Sequence, residues 1–442
     1  MNKTTRKEAI IIGLGLLLLL LAFIYQHFAD RQDILNLVKQ GEPLAAKLEE
    51  LKGDDYPGYR LWDEQEKFLG YGVIGHASGY GGRLDVLTII QDHGQIKNVV
   101  LLQHYETPSY LNRVLESGIL GALAGKNIKD NLGDVDAVGG ATITREAILN
   151  AVGKSTAQIG NQHLGMSIPV ADELNLDWKD MAVLALILLG IVCTARNLGK
   201  WRPWILVLAV IIAFIDNYSL TYSNFLSLLT GKLPAFAERP IWYVLVPGLL
   251  AMTLIWGKNV YCSWICPFGA VQEGVYRGLN LLEFSPSRRI RNRAAKLRWP
   301  MLWLAAMLAL LANNTGIAAY EPFSVFFDGS GITAQWIIVL CVLLVCMAQM
   351  RFWCHNFCPV GTLLNFAAQI KWRIGRIKKN RLEPQVKAAP QESGECGQCA
   401  NTGCGGKKEP LSRHDTIFIV LTAMLNLLIL TALLENILLI WQ

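Results

Sequence analysis

The sequence predicts a polytopic α-helical membrane protein of about seven spans, carrying one α/β domain outside the bilayer. Three observations lead there. Of 442 residues, 52% are hydrophobic and only 17% charged, and the mean hydropathy is +0.31, too apolar for a soluble chain of this length. Apolar stretches long enough to span a bilayer recur, and on alternate turns the loops between them are basic. One long block, 30–175, is polar, contains many glycines and has no span. The net charge of +6 is modest and concentrated in particular loops, so it reports topology, and nucleic acid is not an expected partner.

In chain order, Lys3, Arg6 and Lys7 precede an apolar run over 10–28 that leads into Tyr25-Gln26-His27-Phe28 with no small-residue cleavage site. The run reads as a retained anchor, 1–29, with its basic end inside. In the polar block 30–175, residues 84–91 and 95–103 alternate like strands across Asp92-His93-Gly94, a hairpin signal, and helical patches at 32–52 and 144–159 flank them. Further apolar segments lie at 180–195, 203–220, 241–257, 299–314, 333–350 and 415–440. The loops that begin at Arg196, Lys258 and Arg351 are basic. One carries Arg288, Arg289, Arg291, Arg293, Lys296 and Arg298, and another Arg373, Arg376, Lys378, Lys379 and Arg381, whereas 221–240 and 313–332 have almost no Lys or Arg. This alternation places the polar domain outside and the basic loops inside a bacterial cytoplasmic membrane. The expected domains are therefore the anchor, the outer domain at 30–175, a membrane core at 176–384, a cysteine-rich cytoplasmic loop at 385–414 and a last membrane helix at 415–442.

Ten cysteines are present, and seven fall in three clusters with ligand spacing. Tyr261-Cys262-Ser263-Trp264-Ile265-Cys266-Pro267-Phe268-Gly269 recurs as Trp353-Cys354-His355-Asn356-Phe357-Cys358-Pro359-Val360-Gly361. Two Cys-x3-Cys-Pro-x-Gly segments, each closing an apolar stretch, form an internal repeat that helix packing does not require. Thiolates are the usual ligands of iron–sulfur clusters, and Cys-x3-Cys-Pro ends the bacterial ferredoxin run. Cys396, Cys399 and Cys404 form a third group in a Gly-rich loop. Seven candidates fall one short of the eight thiolates that two cubane clusters take. Either the first four hold one cluster, or two clusters share the set with a non-cysteine ligand such as His355; zinc is the alternative for the third group. Cys193, Cys341 and Cys346 lie in spans and read as packing residues. Asp216, near the outer end of a span, is a candidate for handling protons or a quinone headgroup.

The outer block carries a second signal, Asp136-Ala137-Val138-Gly139-Gly140-Ala141-Thr142-Ile143-Thr144. By itself it is compatible with a helix start capped by Thr142 or Thr144. It closely resembles the Asp-x-x-(Ser/Thr)-Gly-Ala-Thr motif of FMN-binding domains in sodium-pumping quinone reductase subunits, Rnf complex subunits and the nitrous-oxide-reductase accessory family. The resemblance covers 70–155 and includes Gly79-Tyr80-Gly81-Gly82 and His104-Tyr105-Glu106-Thr107-Pro108; Gly139 stands where the family has Ser or Thr. It implies FMN joined to Thr142 through a phosphoester by a flavin transferase, with Asp136, Gly139, Gly140, Ala141, Thr144, Glu106, Thr107, Pro108, Tyr80 and Gly82 around it. The paired Cys-x3-Cys-Pro loops resemble the membrane iron–sulfur proteins of the nitrous-oxide-reductase accessory, periplasmic nitrate reductase electron-transfer and reductive-dehalogenase accessory families.

Together the resemblances imply electron transfer between a quinol or cytoplasmic donor and an extracytoplasmic acceptor such as a respiratory reductase. The carriers would be covalent FMN and [4Fe–4S] clusters at Cys262, Cys266, Cys354, Cys358, Cys396, Cys399 and Cys404, and other membrane subunits are possible partners. A redox-sensing or maturation factor, and a subunit of a cation-pumping complex, are the alternatives. With carriers on opposite sides of a hydrocarbon layer of roughly 30 Å, a further carrier, a partner subunit or clusters set deep between the helices must close the gap.

Overall fold

The computed structural model describes residues 3–29, 34–51, 55–134, 142–169, 176–279, 284, 286–329, 331–382 and 412–441. Helix α1 (Lys3–Ala29) lies along the membrane part, its Gly15 carbonyl accepting the Trp303 indole N–H at 2.9 Å. The polar block then builds helix α2 (Ile34–Gly41) and strands β1 (Lys47–Leu51), β2 (Gly58–Trp62), β3 (Phe68–Ser78), β4 (Arg83–Ile90) and β5 (Ile96–His104). The strands form one antiparallel meander in the order β1-β2-β3-β4-β5. Successive side chains point to opposite faces of a strand, so β4 supplies two cores. Leu84 and Val86 pack on one face, Leu87 and Ile89 on the other with Val38 of α2. Helices α3 (Pro108–Glu116), α4 (Ile119–Leu123) and α5 (Thr142–His163) complete the domain, with Ile148, Ala151, Val152 and Ile159 of α5 covering the first face.

Residues 47–51 correct the helical patch expected over 32–52. Lys47-Leu48-Glu49-Glu50-Leu51 has ordinary helix formers, but each residue pairs with β2, and tertiary pairing overrides a propensity worth only tenths of a kcal/mol per residue.

The second half is helical: α6 (Trp178–Ala195), α7 (Arg202–Ile215), α8 (Tyr222–Thr230), α9 (Pro240–Tyr243), α10 (Leu249–Trp256), α11 (Pro267–Leu279), α12 (Arg288–Leu311), α13 (Phe323–Asp328), α14 (Thr333–Cys346), α15 (Phe352–Asn356), α16 (Pro359–Leu382) and α17 (Arg413–Trp441). Among the described residues three helices are long and apolar enough to cross a membrane, Trp178–Ala195, Arg288–Leu311 and Arg413–Ile440, and Ile10–Gln26, Pro240–Trp256 and Thr333–Cys346 are shorter apolar helices. Helices occupy all seven expected apolar segments in whole or in part, but among the described residues fewer than seven have full spanning length, and two of the short ones have a local cause. Pro247, which lacks an N–H, opens a wide turn between α9 and α10. The 203–220 segment stops being helical at Ile215, and Asn217 to Thr221 fold back as a buried loop. Large apolar side chains such as Trp204, Val207 and Ile211 of α7 and Leu340 and Leu344 of α14 point outward, a surface that suits lipid.

The loops expected at 221–240 and 313–332 are folded inward over 221–227 and 314–323, and so are 217–220 at the end of the expected 203–220 segment. Ser219, Leu220, Tyr222, Thr315, Ile317, Ala318 and Tyr320 are all buried. Part of their polarity is met internally, although the Ser219 and Tyr320 hydroxyls have no partner among the described residues. The Tyr222 N–H donates to Glu321 Oε1 at 2.5 Å, and Gln335 and Asn436 donate to the Ala319 carbonyl at 3.1 and 3.4 Å.

Candidate flavin and cluster sites

The Gly-rich entry to β4 is shaped around Glu106. A Cβ at Gly79 would overlap Oε1 of Glu106, so only glycine leaves room for the carboxyl. The Gly81 N–H donates to both carboxyl oxygens at 3.2 Å, and the Thr144 hydroxyl donates to Oε2 at 3.1 Å. Glu106, Thr107 and Thr144 are buried. Thr107 stands at the N-cap position of α3 without a side-chain capping bond, and Pro108 occupies its first turn, where a missing N–H costs nothing. Burial pushes the Glu106 carboxyl up to about 7 from an ordinary 4.5.

A group whose folded pKa is raised binds its proton more tightly in the native state, so stability falls as pH rises from about 4.5 to about 7 and is flat above, at about 1.4 kcal/mol per pH unit within that window. Burial lowers the His104 imidazole to about 4, which works in the opposite sense below pH 6.5, so the Glu106 contribution is read as a difference. In detergent-solubilised protein the melting temperature of wild type relative to Glu106→Gln is expected to fall between pH 5 and pH 7, and equal slopes in the two proteins would refute the assignment.

Thr142 is the first residue of α5, and Asp136, Gly139, Gly140 and Ala141 lie outside the described residues. The first turn of α5 opens on a cleft of about 400 Å3 lined by Tyr80, Tyr110, Ile143, Thr144, Phe214, Asn217, Phe327 and Asp328. Tyr80 and Tyr110 stand with ring centroids 5.0 Å apart on the polar-domain wall, and Phe214 and Phe327 5.1 Å apart on the helical wall. Ile143, Glu146, Lys179 and Asp216 also border an adjoining polar groove of about 700 Å3. Aromatic walls suit a flat heteroaromatic ring, the volume is that of an ordinary ligand pocket, and a helix N-terminus favours a phosphate. The arrangement fits FMN. Gly82 contributes a carbonyl that accepts the Gly79 N–H at 2.8 Å, shaping the turn.

The cleft exists because the two halves dock. The Arg239 guanidinium donates to the Gly79 carbonyl at 2.8 Å, Glu238 accepts the Ser78 N–H at 2.8 Å and pairs with Lys154 at 3.2 Å, and the Tyr110 hydroxyl donates to Asp328, which also takes Asn217 at 2.5 Å. Gly316 lies so close that a Cβ there would overlap the Glu106 carbonyl. Gly316→Ala must push the halves apart at about 1–3 kcal/mol, the usual cost of overpacking. Its expected signature is faster amide exchange across 104–108 with β3 and β4 unchanged; equal exchange throughout would refute the contact.

The second site gathers four of the sequence-predicted cysteines. Cys262, Cys266, Cys354 and Cys358 line one cavity of about 180 Å3 together with His355, Arg351 and Tyr261. Each motif leads into a helix with proline at its start, Pro267 in α11 and Pro359 in α16, where a missing N–H is tolerated. The two motifs are clasped reciprocally. Gln272 of α11 accepts the Trp353 N–H at 3.0 Å and donates to Cys354 Sγ at 3.2 Å. Arg351 donates to the Cys262 carbonyl at 2.8 Å and to Glu273 at 3.1 Å. Glu273 also takes Arg202 through two 2.7 Å bonds and Arg277 at 2.8 Å. Arg351 adopts φ 55°, a conformation costing of order 1–3 kcal/mol that its surroundings must hold in place.

Among the described residues no group of three His, Cys, Asp or Glu could hold a single metal ion. Cubane thiolates bind different irons and stand further apart than four sulfurs around one zinc, so the open cavity with four thiols is the donor set a [4Fe–4S] cluster takes. The Gly361 N–H donates to Cys358 Sγ at 3.3 Å, a bond of the kind that tunes cluster potential. Cys396, Cys399 and Cys404 lie outside the described residues. Cys193 and Cys346 are buried; Cys346 also donates to Gln272 at 3.5 Å. Asp216 borders both the cleft and the groove. Arg239, Gln272 and Glu273 were not singled out by sequence, and Arg351 only as the start of a basic loop, although a Gln-Glu pair just after a cysteine motif was a signal.

Residues 79–156 match the FMN-binding domain family, and 238–293 and 334–379 match the 4Fe-4S binding domain family. The chain is 25% identical over 248 residues to Protein NirI of Paracoccus denitrificans, covering 52% of this chain and 35% of that protein. It is 27% identical over 180 residues to the Regulatory protein NosR of Pseudomonas aeruginosa, covering 37% and 25%. The chain is NosR/NirI-like. It is also 27% identical over 180 residues to the Methylamine utilization ferredoxin-type protein MauN of Methylorubrum extorquens, covering 39% of this chain and 55% of that protein. The NosR/NirI-like chain spans a quarter to a third of the length of the NosR and NirI relatives it matches. The FMN-binding and 4Fe-4S binding regions support an electron-transfer role, and the apolar helices suit a membrane.

Proposed function

We propose that the chain is an electron conduit of a bacterial cytoplasmic membrane, working between a quinol or a cytoplasmic donor and an extracytoplasmic acceptor such as a respiratory reductase. The observation that carries this reading is the convergence of four thiols from two distant motifs on one cavity, in the same molecule as an aromatic cleft at a helix N-terminus. FMN and a [4Fe–4S] cluster, when bound, supply the one-electron chemistry.

The chain's own residues do the rest. The start of α5 would receive the FMN phosphate, joined to Thr142 by a flavin transferase; Tyr80, Tyr110, Phe214 and Phe327 would flank the ring, and Cys262, Cys266, Cys354 and Cys358 would hold the cluster. Gln272 and Gly361 donate to Cys354 and Cys358 Sγ and would do the same to the thiolates. The basic loops around Arg288 and Arg373 support an orientation with the cysteines on the cytoplasmic side and the flavin domain outside.

Anaerobic protein reconstituted in vesicles tests the reading. Adding a soluble quinol is expected to bleach the flavin absorbance, and Cys354→Ala to abolish that bleaching. A wild-type flavin that no quinol and no cytoplasmic-side reductant bleaches would overturn the conduit. NosR is named a regulatory protein, which favours redox sensing as the second reading; bleaching much slower than respiration would select it, and sodium-dependent bleaching would select a cation pump.

A further inference from the structure

We infer that the inward-folded 216–221 loop is the direct electron path between the flavin cleft and the cysteine cavity, with Tyr80 and Tyr261 as its two hydrogen-bonded ends and no further carrier between them. The inference rests on the conduit reading and specifies its internal route.

Tyr80 forms part of the aromatic wall of the cleft, and its hydroxyl donates to the Ser219 carbonyl at 3.4 Å. The next residue, Leu220, donates its N–H to the Tyr261 hydroxyl at 2.9 Å. Tyr261 is 1% exposed, borders the cysteine cavity and is bonded through the backbone to Cys262. Between the two phenol oxygens stand only a 3.4 Å contact, the single peptide group of Ser219 and Leu220, crossed through one C=O bond of about 1.2 Å and one C–N bond of about 1.3 Å, and a 2.9 Å contact. That is a fraction of a hydrocarbon core of roughly 30 Å.

The same loop is tied a second time to the first cysteine motif. The Tyr218 hydroxyl donates to the Ile265 carbonyl at 2.9 Å, and Ile265 precedes Cys266. The loop therefore touches the residue before each thiol of that motif, with its opposite side against the flavin domain. The 313–322 loop repeats the arrangement by packing alone. Gly316 abuts Glu106, and the Tyr320 ring lies 6.4 Å from that of Trp353, the residue before Cys354.

The gap that separated carriers on opposite membrane faces is thus filled by protein reaching in from one side and cysteine loops reaching in from the other. Each event moves one electron: the reduced cofactor at one end loses it and the oxidised cofactor at the other end gains it. No bond to the chain forms or breaks, and the two phenols keep their protons. A proton released or taken up by the flavin exchanges with the polar groove bordered by Glu146 and Asp216. Tyr80 and Tyr261 act as a closely bonded medium and are neither oxidised nor reduced.

The test uses the full chain with both cofactors bound in nanodiscs. Pulsed dipolar spectroscopy between the unpaired electrons of the two cofactors is expected to give a separation well short of the 30 Å core; a separation of that thickness or more would overturn the inference. Flash reduction of the flavin followed by cluster bleaching reads the route. Tyr261→Phe and Tyr80→Phe are each expected to slow the exchange several-fold, with iron per flavin and dipolar separation unchanged. Tyr80→Phe stands far from the thiols and keeps the test valid should Tyr261→Phe disturb cluster assembly. Unchanged exchange in Tyr80→Phe, with both cofactors loaded, overturns the route while leaving the conduit intact. Protein that carries flavin and no iron overturns the conduit and the route together, and the iron assay tells the two failures apart.

Discussion

Thr142→Ala is expected to abolish covalent flavin: the purified variant should show no fluorescent band on a denaturing gel, whereas Thr142→Ser should retain one. A phosphoester needs a hydroxyl, and Thr142 stands at the start of α5, where the helix dipole favours the incoming phosphate. The neighbouring hydroxyl at Thr144 is no substitute. It borders the cleft but is 0% exposed and its hydroxyl proton is committed to Glu106 at 3.1 Å, so esterifying it would break that buried bond. Thr144→Ala should therefore keep its flavin and lose stability by about 1–3 kcal/mol, the usual cost of stripping a partner from a buried carboxyl. A Thr142→Ala protein that still fluoresces after denaturation would place the attachment elsewhere.

Cys354→Ala should lower iron from about four per chain, the content of one cubane, to near zero. Loss of one thiolate in four leaves an iron without its ligand, and Gln272, which donates to Cys354 Sγ, would then point into the gap. Simultaneous replacement of Cys396, Cys399 and Cys404 by alanine should leave those four irons in place, because the four thiols around the cavity already complete the set. Retention of iron by Cys354→Ala, or its complete loss in the triple variant, would reassign the ligands. Iron of about eight per wild-type chain, falling to about four in the triple variant, would give the third group a cluster of its own.

What the sequence made legible was local. A Cys-x3-Cys-Pro segment fixes two thiols and the following helix start within nine residues, so both motifs could be found without knowing what they face. The hairpin of β4 and β5 was legible for the same reason, as alternation on either side of Asp92-His93-Gly94. Contacts distant in sequence left almost no trace. Arg351 reaches Glu273 across 78 positions, and Tyr80 reaches Ser219 across 139. The inward-folded loops were misjudged because scarcity of Lys and Arg reports sidedness and says nothing of depth. Tyr320-Glu321-Pro322-Phe323 has few charges because it is buried. The apolar segment at 203–220 concealed a helix and a loop, since hydropathy averages over both.

The clasp of Gln272 and Arg351 across the two motifs also dictates an order of manufacture. Neither half of the repeat owns a complete ligand set: the thiols of the first wait, in a membrane already entered, for those of a second half not yet synthesised. A cluster held by these four thiols would consequently be loaded late, once the two halves have found each other. A nascent chain that stalls before the second motif offers only half of the cavity's thiols, so a loaded cluster would certify that the core has closed.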